Sequence, residues 1–360
     1  MPSITTDAFI GRRHAIERFC VCAMQGQFPV LAIGAAGELG AVFRAGAGHY
    51  GLSGTIATAS SADGGRTWSD PLEVAPRGDD VRNPAFGIVA GRWIVAYWKA
   101  GVRCYPAGDD GVRRWKLHAT RGPDDTFVVT SDDRGRTWSQ PGAVRSELLA
   151  WASPFGRIVE LADGTLAMAA YGPPRDATTA MPFDCVMLRS RDGGASWGDE
   201  SRVLAGASEM SLCPVSQTRV VAAVRRARGD TVIVRSDDAG RHWSEPIVAT
   251  RVDEHPGDLC VLRHSGRMLL TFGRRRRPLG VGALVSDDHG ASWDRDREVM
   301  LAGDGVGNDV GYPSTVQRDD GTLVTACYFA RGSAASDPMD GWGEISCQAL
   351  HYPESLVTLP

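Results

Sequence analysis

Arginine recurs in this chain at one kind of place. Arg44, Arg82, Arg157, Arg225 and Arg274 each lie at one end of a short apolar segment, and Gln27, Asn83, Lys99, Tyr171, Glu209, Asp258, Tyr312 and Tyr328 occupy equivalent ends. Guanidinium groups gathered at one spot hold a carboxylate bidentately, so a small acidic molecule is the guest such a set favours. Random surface charge would mix the signs more evenly. His49, in the loop FRAGAGHYG that begins with the segment end at Arg44, adds a group whose ordinary pKa of about 6.5 suits proton transfer at neutral pH. Asp80, just ahead of Arg82 in DDVRNP, is a second candidate proton donor.

These positions gather only if the apolar segments do. The motif Ser-x-Asp-x-Gly-x-(Thr/Ser/His)-Trp occurs five times, as SADGGRTW at 61, SDDRGRTW at 131, SRDGGASW at 190, SDDAGRHW at 236 and SDDHGASW at 286. A second pattern, a turn followed by an apolar run, occurs six times: GELGAVFR, GRWIVAYWK, DGTLAMAAY, TRVVAAVR, GRMLLTFGR and DGTLVTACY. Another short apolar segment precedes each, and every pair has the length and turn chemistry of a β-hairpin. In the five motifs the Asp can accept hydrogen bonds from its own turn, the Gly can take positive φ, and the Trp fills space between units. Repeats of this spacing point to an array of similar units. Six units of about four strands, stacked radially so that few edges stay unpaired, make an all-β, six-bladed β-propeller filling 1–360 as one domain. A β-sandwich is the alternative. The sixth unit lacks the motif; GEISCQALHY is expected as its closing strand, with HAIERFCVCAM from the N-terminus completing a blade.

Composition sets outer limits. With 360 residues and 43% hydrophobic content the chain can bury a large core. No apolar run reaches the roughly 20 residues of a membrane span and no signal-like region opens the chain, so a cytoplasmic protein without membrane contact is expected. A net charge of -4 offers no general attraction to nucleic acid. The run Arg274 to Arg277 is no exception, since neighbours on a strand face opposite ways. The eight cysteines lack CxxC spacing and read as buried thiols. Asp304 and Asp309 fall in the Gly-rich LAGDGVGNDVGYP, read as a loop without a metal. No Walker, HExxH or GxGxxG pattern is present, and no cofactor or metal is implied.

The five Ser-x-Asp turns resemble the Asp boxes of the sialidase superfamily, whose catalytic domains are six-bladed propellers. Blade six, GYPSTVQRDDGTL, is similar to the Tyr-Ser segment of sialidases of glycoside hydrolase family 33, and the resemblance places Tyr312 on the nucleophile. Blade four, EMSLCPVSQTRVVAAVR, resembles the family's Glu and Arg pair, which implies Glu209 as the partner of the tyrosine and Arg225 as a carboxylate-binding arginine. A further arginine is expected ahead of the fifth Asp box; Arg276 is favoured, with Arg274 and Arg277 as alternatives. Two features depart from the family. Gln27 stands where the resemblance expects the first arginine, and no Asp follows the second strand of blade one. Arg44 could supply the missing clamp, and His49 or Asp80 the missing acid/base.

The anomeric carbon of a sialic acid bears a carboxylate that would repel a carboxylate nucleophile, and a neutral phenol avoids this. The phenol then needs a base such as Glu209 and nearby positive charge. The expected function is an exo-acting hydrolase that removes a terminal acidic sugar, sialic acid or a uronate-linked relative. Arg44, Arg82, Arg225, Arg276, Gln27 and Asp258 would bind substrate. Two alternatives stay open: a uronate lyase using Tyr312 and His49, and a propeller that binds acidic glycans without chemistry. Nothing in the sequence sets the oligomeric state.

Overall fold

Each repeat folds as its turn chemistry directs: two apolar segments pair as an antiparallel hairpin, and the chain adds a third and a fourth strand outward. In the first repeat Gln27–Ile33, Leu39–Ala45, Thr55–Ser61 and Leu72–Glu73 pair in chain order. The same order holds for Ala207–Pro214, Val220–Arg226, Thr231–Ser236 and Ile247–Val248, and for Glu254–Val261, Met268–Arg274, Leu279–Ser286 and Val299–Gly305. The last sheet takes Val310–Gln317, Thr322–Arg331 and Glu344–Pro353 and is completed by Glu17–Ala23, with Glu17 opposite His351. The two ends of the chain thus close one sheet, as the segments GEISCQALHY and HAIERFCVCAM suggest. This computed structural model describes residues 15–49, 53–77, 79–100, 103–107, 114–118, 125–178, 182–331 and 344–358, the stretches 103–107 and 114–118 as a backbone hairpin.

The architecture is all-β with a propeller arrangement. First strands of successive repeats lie side by side around a ring, and Val310–Gln317 returns to Gln27–Ile33. Six separate four-stranded sheets are the expectation from sequence, but four stand alone. The strands of the second and third repeats form one eight-stranded sheet, because Asp80–Val89 and Ser153–Glu160 pair in parallel at Ala85 with Gly156 and Phe86 with Arg157. Glycine permits that approach: a Cβ at Gly87 would lie 2.6 Å from the Ile158 carbonyl oxygen.

The five Asp boxes share the Ser-to-Asp hydrogen bond and the Asp bond from the backbone N–H four residues on, while the Trp-to-Gly carbonyl bond forms in three, at Trp68, Trp197 and Trp243. In the first, Ser61 donates to Asp63 at 2.8 Å, Asp63 accepts from Thr67 N at 2.9 Å and from its hydroxyl at 2.6 Å, and Trp68 donates to the Gly65 carbonyl. The box glycines take positive φ, from 79° at Gly135 to 94° at Gly65. Trp68, Trp138, Trp197, Trp243 and Trp293 each pack against a different apolar cluster. Of the cysteines with described side chains, Cys22, Cys185, Cys213, Cys327 and Cys347 are buried as expected. Cys20 is exposed on the outermost strand and Cys260 is half-buried; the side chain of Cys104 lies outside the described residues.

A bulge interrupts the start of every first strand. Register slips between Gln27 and Val30, Arg82 and Ala85, Phe155 and Val159, Ser208 and Met210, Glu254 and Gly257, and Gly311 and Ser314. At five of the six the bulged residue has positive φ: Phe28 (54°), Asn83 (53°), Gly156 (73°), Glu209 (42°) and Tyr312 (49°). Bulges re-aim side chains, and non-glycine residues rarely tolerate this conformation without a use for it.

Candidate active site

The bulges of the fourth and sixth repeats bring Glu209 and Tyr312 together. The Tyr312 hydroxyl donates to Glu209 Oε1 at 2.6 Å, and Arg225 Nη1 donates to Oε2 at 2.5 Å. Arg225 arrives from the neighbouring strand, where it sits beside Ser208 in register. Burial alone would raise the Glu209 carboxyl, but the Arg225 charge and the hydrogen bonds from Tyr312 and Arg225 outweigh it and hold the group below its ordinary value. Burial and the adjacent Glu209 charge push the Tyr312 phenol well above 10, against the opposing charges of Arg275 and Arg225. The resting pair is therefore a neutral phenol hydrogen-bonded to an ionised carboxylate.

Arg275, not Arg276, faces this pair. Its guanidinium carbon lies 5.3 Å from the Tyr312 ring centroid, within cation–π range. Arg275 Nε and Nη2 are buried and make no hydrogen bond among the described residues. Unpaired buried donors cost free energy, and here they offer an anion two ready contacts. Arg276 instead donates to Glu254 at 2.6 Å, and Arg274 to Glu298 at 3.0 Å, while Arg277 is exposed. The expectation of alternating faces fails because the strand Met268–Arg274 ends at Arg274, which holds the following turn through the Arg276 and Pro278 carbonyls. Burial, with the charges of Arg225 and Arg275, pushes His255 down to about 3, so it stays neutral beside them.

Three further candidates from sequence are committed elsewhere. Arg44 and Asp80 are both fully buried, with Arg44 Nη1 2.9 Å from Asp80 Oδ1 and Arg82 Nη2 3.3 Å from Asp80 Oδ2. Arg44 also donates to the carbonyls of Gly48 and Val81. Arg44 thus holds Asp80 and two backbone carbonyls, and Asp80 lies against the two arginines it pairs with. Asp258 likewise accepts from Arg157 at 2.8 Å and from Thr315 N at 2.7 Å. Arg82 stacks on Trp98 at 5.1 Å and Asn83 donates to Tyr171 and Ser153. Gln27 is fully buried and neither of its amide atoms has a partner among the described residues.

His49 is brought to the site. Its Nδ1 lies 3.1 and 3.2 Å from the two oxygens of Asp309, which also accepts from the Tyr328 hydroxyl. Phe28 contacts both His49 (4.9 Å between centroids) and Tyr312 (4.8 Å). Asp309 is the residue that sequence reading missed, leaving it in a glycine-rich loop; its closeness to Tyr312 in the chain was the available signal. Among the described residues no group of three His, Cys, Asp or Glu side chains could hold a metal ion.

The chain also resembles known proteins. A profile of the BNR repeat-like domain matches residues 105–325. The chain belongs to that family. This BNR-repeat chain is 23% identical over 301 residues to a sialidase of Bacteroides fragilis, covering 74% of this chain and 53% of that one, so it spans about half the length of that relative. Among solved structures, a protein of unknown function from Dyadobacter fermentans superposes with a TM-score of 0.73 at 21% identity, over 94% of this chain and 99% of the other. The Hadza microbial sialidase Hz136 superposes with a TM-score of 0.68 at 19% identity, over 93% and 67%. At these identities the structural likeness is one of fold, and with the family match it is consistent with the sialidase superfamily.

Proposed function

We propose that this chain is an exo-acting glycoside hydrolase of sialidase type that removes a terminal acidic sugar from a glycan. Tyr312 is the nucleophile, Glu209 its base, and Arg225 with Arg275 the groups that receive the sugar carboxylate. The contact that carries this reading is the Tyr312 hydroxyl on Glu209 Oε1 at 2.6 Å, with the other oxygen held by Arg225. A phenol of high pKa attacks only as its proton leaves, and an ionised carboxylate at hydrogen-bond distance can take it in the same step. The two arginines attract the carboxylate and set the ring over the phenol. We count the eight-stranded sheet as two blades, giving six, a reading supported by the closed ring of six first strands.

The test is release of fluorophore from an aryl α-sialoside by the wild type and by Tyr312→Phe. Release by the wild type that vanishes in the variant, with its thermal melt intact, supports the reading. Equal release by both removes Tyr312 from the chemistry. If neither cleaves the sialoside, the same comparison is made on aryl uronides.

A further inference from the structure

We propose that His49, oriented by Asp309, is the proton donor and acceptor of this site, with Tyr328 holding Asp309 in place; the inference rests on the tyrosine-nucleophile reading above. Four observations meet here. His49 Nδ1 faces both carboxylate oxygens of Asp309 at 3.1 and 3.2 Å. Asp309 accepts a second hydrogen bond from the Tyr328 hydroxyl, so its orientation is fixed from another strand. It lies just ahead of Val310–Gln317, the strand that carries Tyr312, so the acid that holds the histidine and the nucleophile are set by one backbone. Finally, the Phe28 ring contacts both His49 and Tyr312, which brings the two groups to one region.

The protonation pattern depends on which groups can donate. Burial would raise Asp309, but the His49 charge and the hydrogen bonds from His49 and Tyr328 hold it at about 2, so it is an acceptor only. Nδ1 must then carry the proton between them, and exchange with a ligand is assigned to Nε2. Asp80, the other candidate, is fully buried between Arg44 and Arg82.

Atoms and protons balance across two steps. Tyr312 Oη bonds to the anomeric carbon while its proton passes to Glu209. The glycosidic C–O bond breaks, and the leaving oxygen takes the Nε2 proton of the imidazolium. Water then attacks the anomeric carbon and gives its proton back to Nε2, while the Tyr312 oxygen leaves and recovers its proton from Glu209. Asp309 and Tyr328 keep their protonation throughout and are positioning residues.

A proton donor is distinguished from a structural residue by the leaving group. An aryl oxygen departs without help, whereas a sugar oxygen needs a proton. With the full chain, kcat/KM is compared for 4-methylumbelliferyl α-sialoside and sialyllactose in wild type, His49→Asn and Asp309→Asn, alongside thermal melts. The expected result is a loss of roughly 10²–10⁴-fold on sialyllactose for His49→Asn. The loss of the bond-cleaving step on the aryl substrate should be far smaller, and azide should restore turnover by intercepting the glycosyl-tyrosine. Asp309→Asn should show the same selectivity in weaker form. Equal losses on both substrates, or none, would overturn the assignment. If wild type cleaves neither these substrates nor the aryl uronides, the tyrosine-nucleophile reading itself falls, and the dyad falls with it.

Discussion

Arg44 Nη1 lies 2.9 Å from Asp80 Oδ1 in a pair from which solvent is fully excluded, whereas Arg275 leaves Nε and Nη2 without a hydrogen bond among the described residues. The two arginines should therefore respond oppositely to truncation. Arg44→Ala strands a buried carboxylate with Arg82 as its remaining ion-pair partner shown, at a cost of about 3–5 kcal/mol, toward the lower end because that partner remains. Thermal or urea unfolding will register it as a large loss of stability.

Arg275→Ala should leave the melt near wild type, because Nε and Nη2 make no hydrogen bond among the described residues that the change would break. Its effect should appear in kcat/KM for a carboxylate-bearing substrate. Losing a charge-assisted hydrogen bond costs about 1.5–3 kcal/mol, or roughly ten- to a hundred-fold. Steady-state kinetics of Arg275→Ala and Arg276→Ala, side by side, check it: the second variant should change kcat/KM much less, since Arg276 is held by Glu254.

The Asp boxes predict how the protein behaves in acid. Hydrogen bonds from Thr137 and Ser196 hold Asp133 and Asp192 at about 2, below the roughly 4 of an unfolded carboxylate. A depressed folded value means the unfolded chain takes up protons first as pH falls. The boxes' contribution is thus complete above about pH 4 and is lost progressively toward pH 2. Thermal melts from pH 6 to pH 2 should show that decline, and Asp133→Asn together with Asp192→Asn should flatten it. An unchanged slope in the double variant would mean that other carboxylates set the acid limit.

Gly87 joins the second and third repeats. A Cβ there would sit 2.6 Å from the Ile158 carbonyl oxygen, so Gly87→Ala must push the parallel pairing apart. Overpacking of this kind costs about 1–3 kcal/mol. Hydrogen exchange should localise the loosening to Asp80–Val89 and Ser153–Glu160, with the other sheets protected as before.

What could be read from sequence was local. The Asp boxes, the hairpins, and the proximity of Glu209 to Arg225 depend on short spacings that a hairpin enforces, and the Tyr312 partner came through resemblance to a family motif. What could not be read depended on where the chain turns and on what lies opposite. Arg275 replaces Arg276 because a strand ends one residue before it. Arg44 and Asp80 look like mouth residues until their complete burial is known. Asp309 meets His49 only in the folded chain, 260 positions away. The fusion of two sheets turns on the missing side chain of Gly87, which carries no periodic signal.

The most direct measurement asks whether Tyr312 becomes covalently bonded. A fluorinated sialosyl fluoride, whose electron-poor ring slows release of the bound sugar, is incubated with the wild type, and the protein is digested and mapped by mass spectrometry. Tyr312 as nucleophile predicts one sugar adduct, on the peptide containing Tyr312, and none in Tyr312→Phe. Fluoride released with turnover but without an adduct at Tyr312, or with the adduct on another residue, would contradict it.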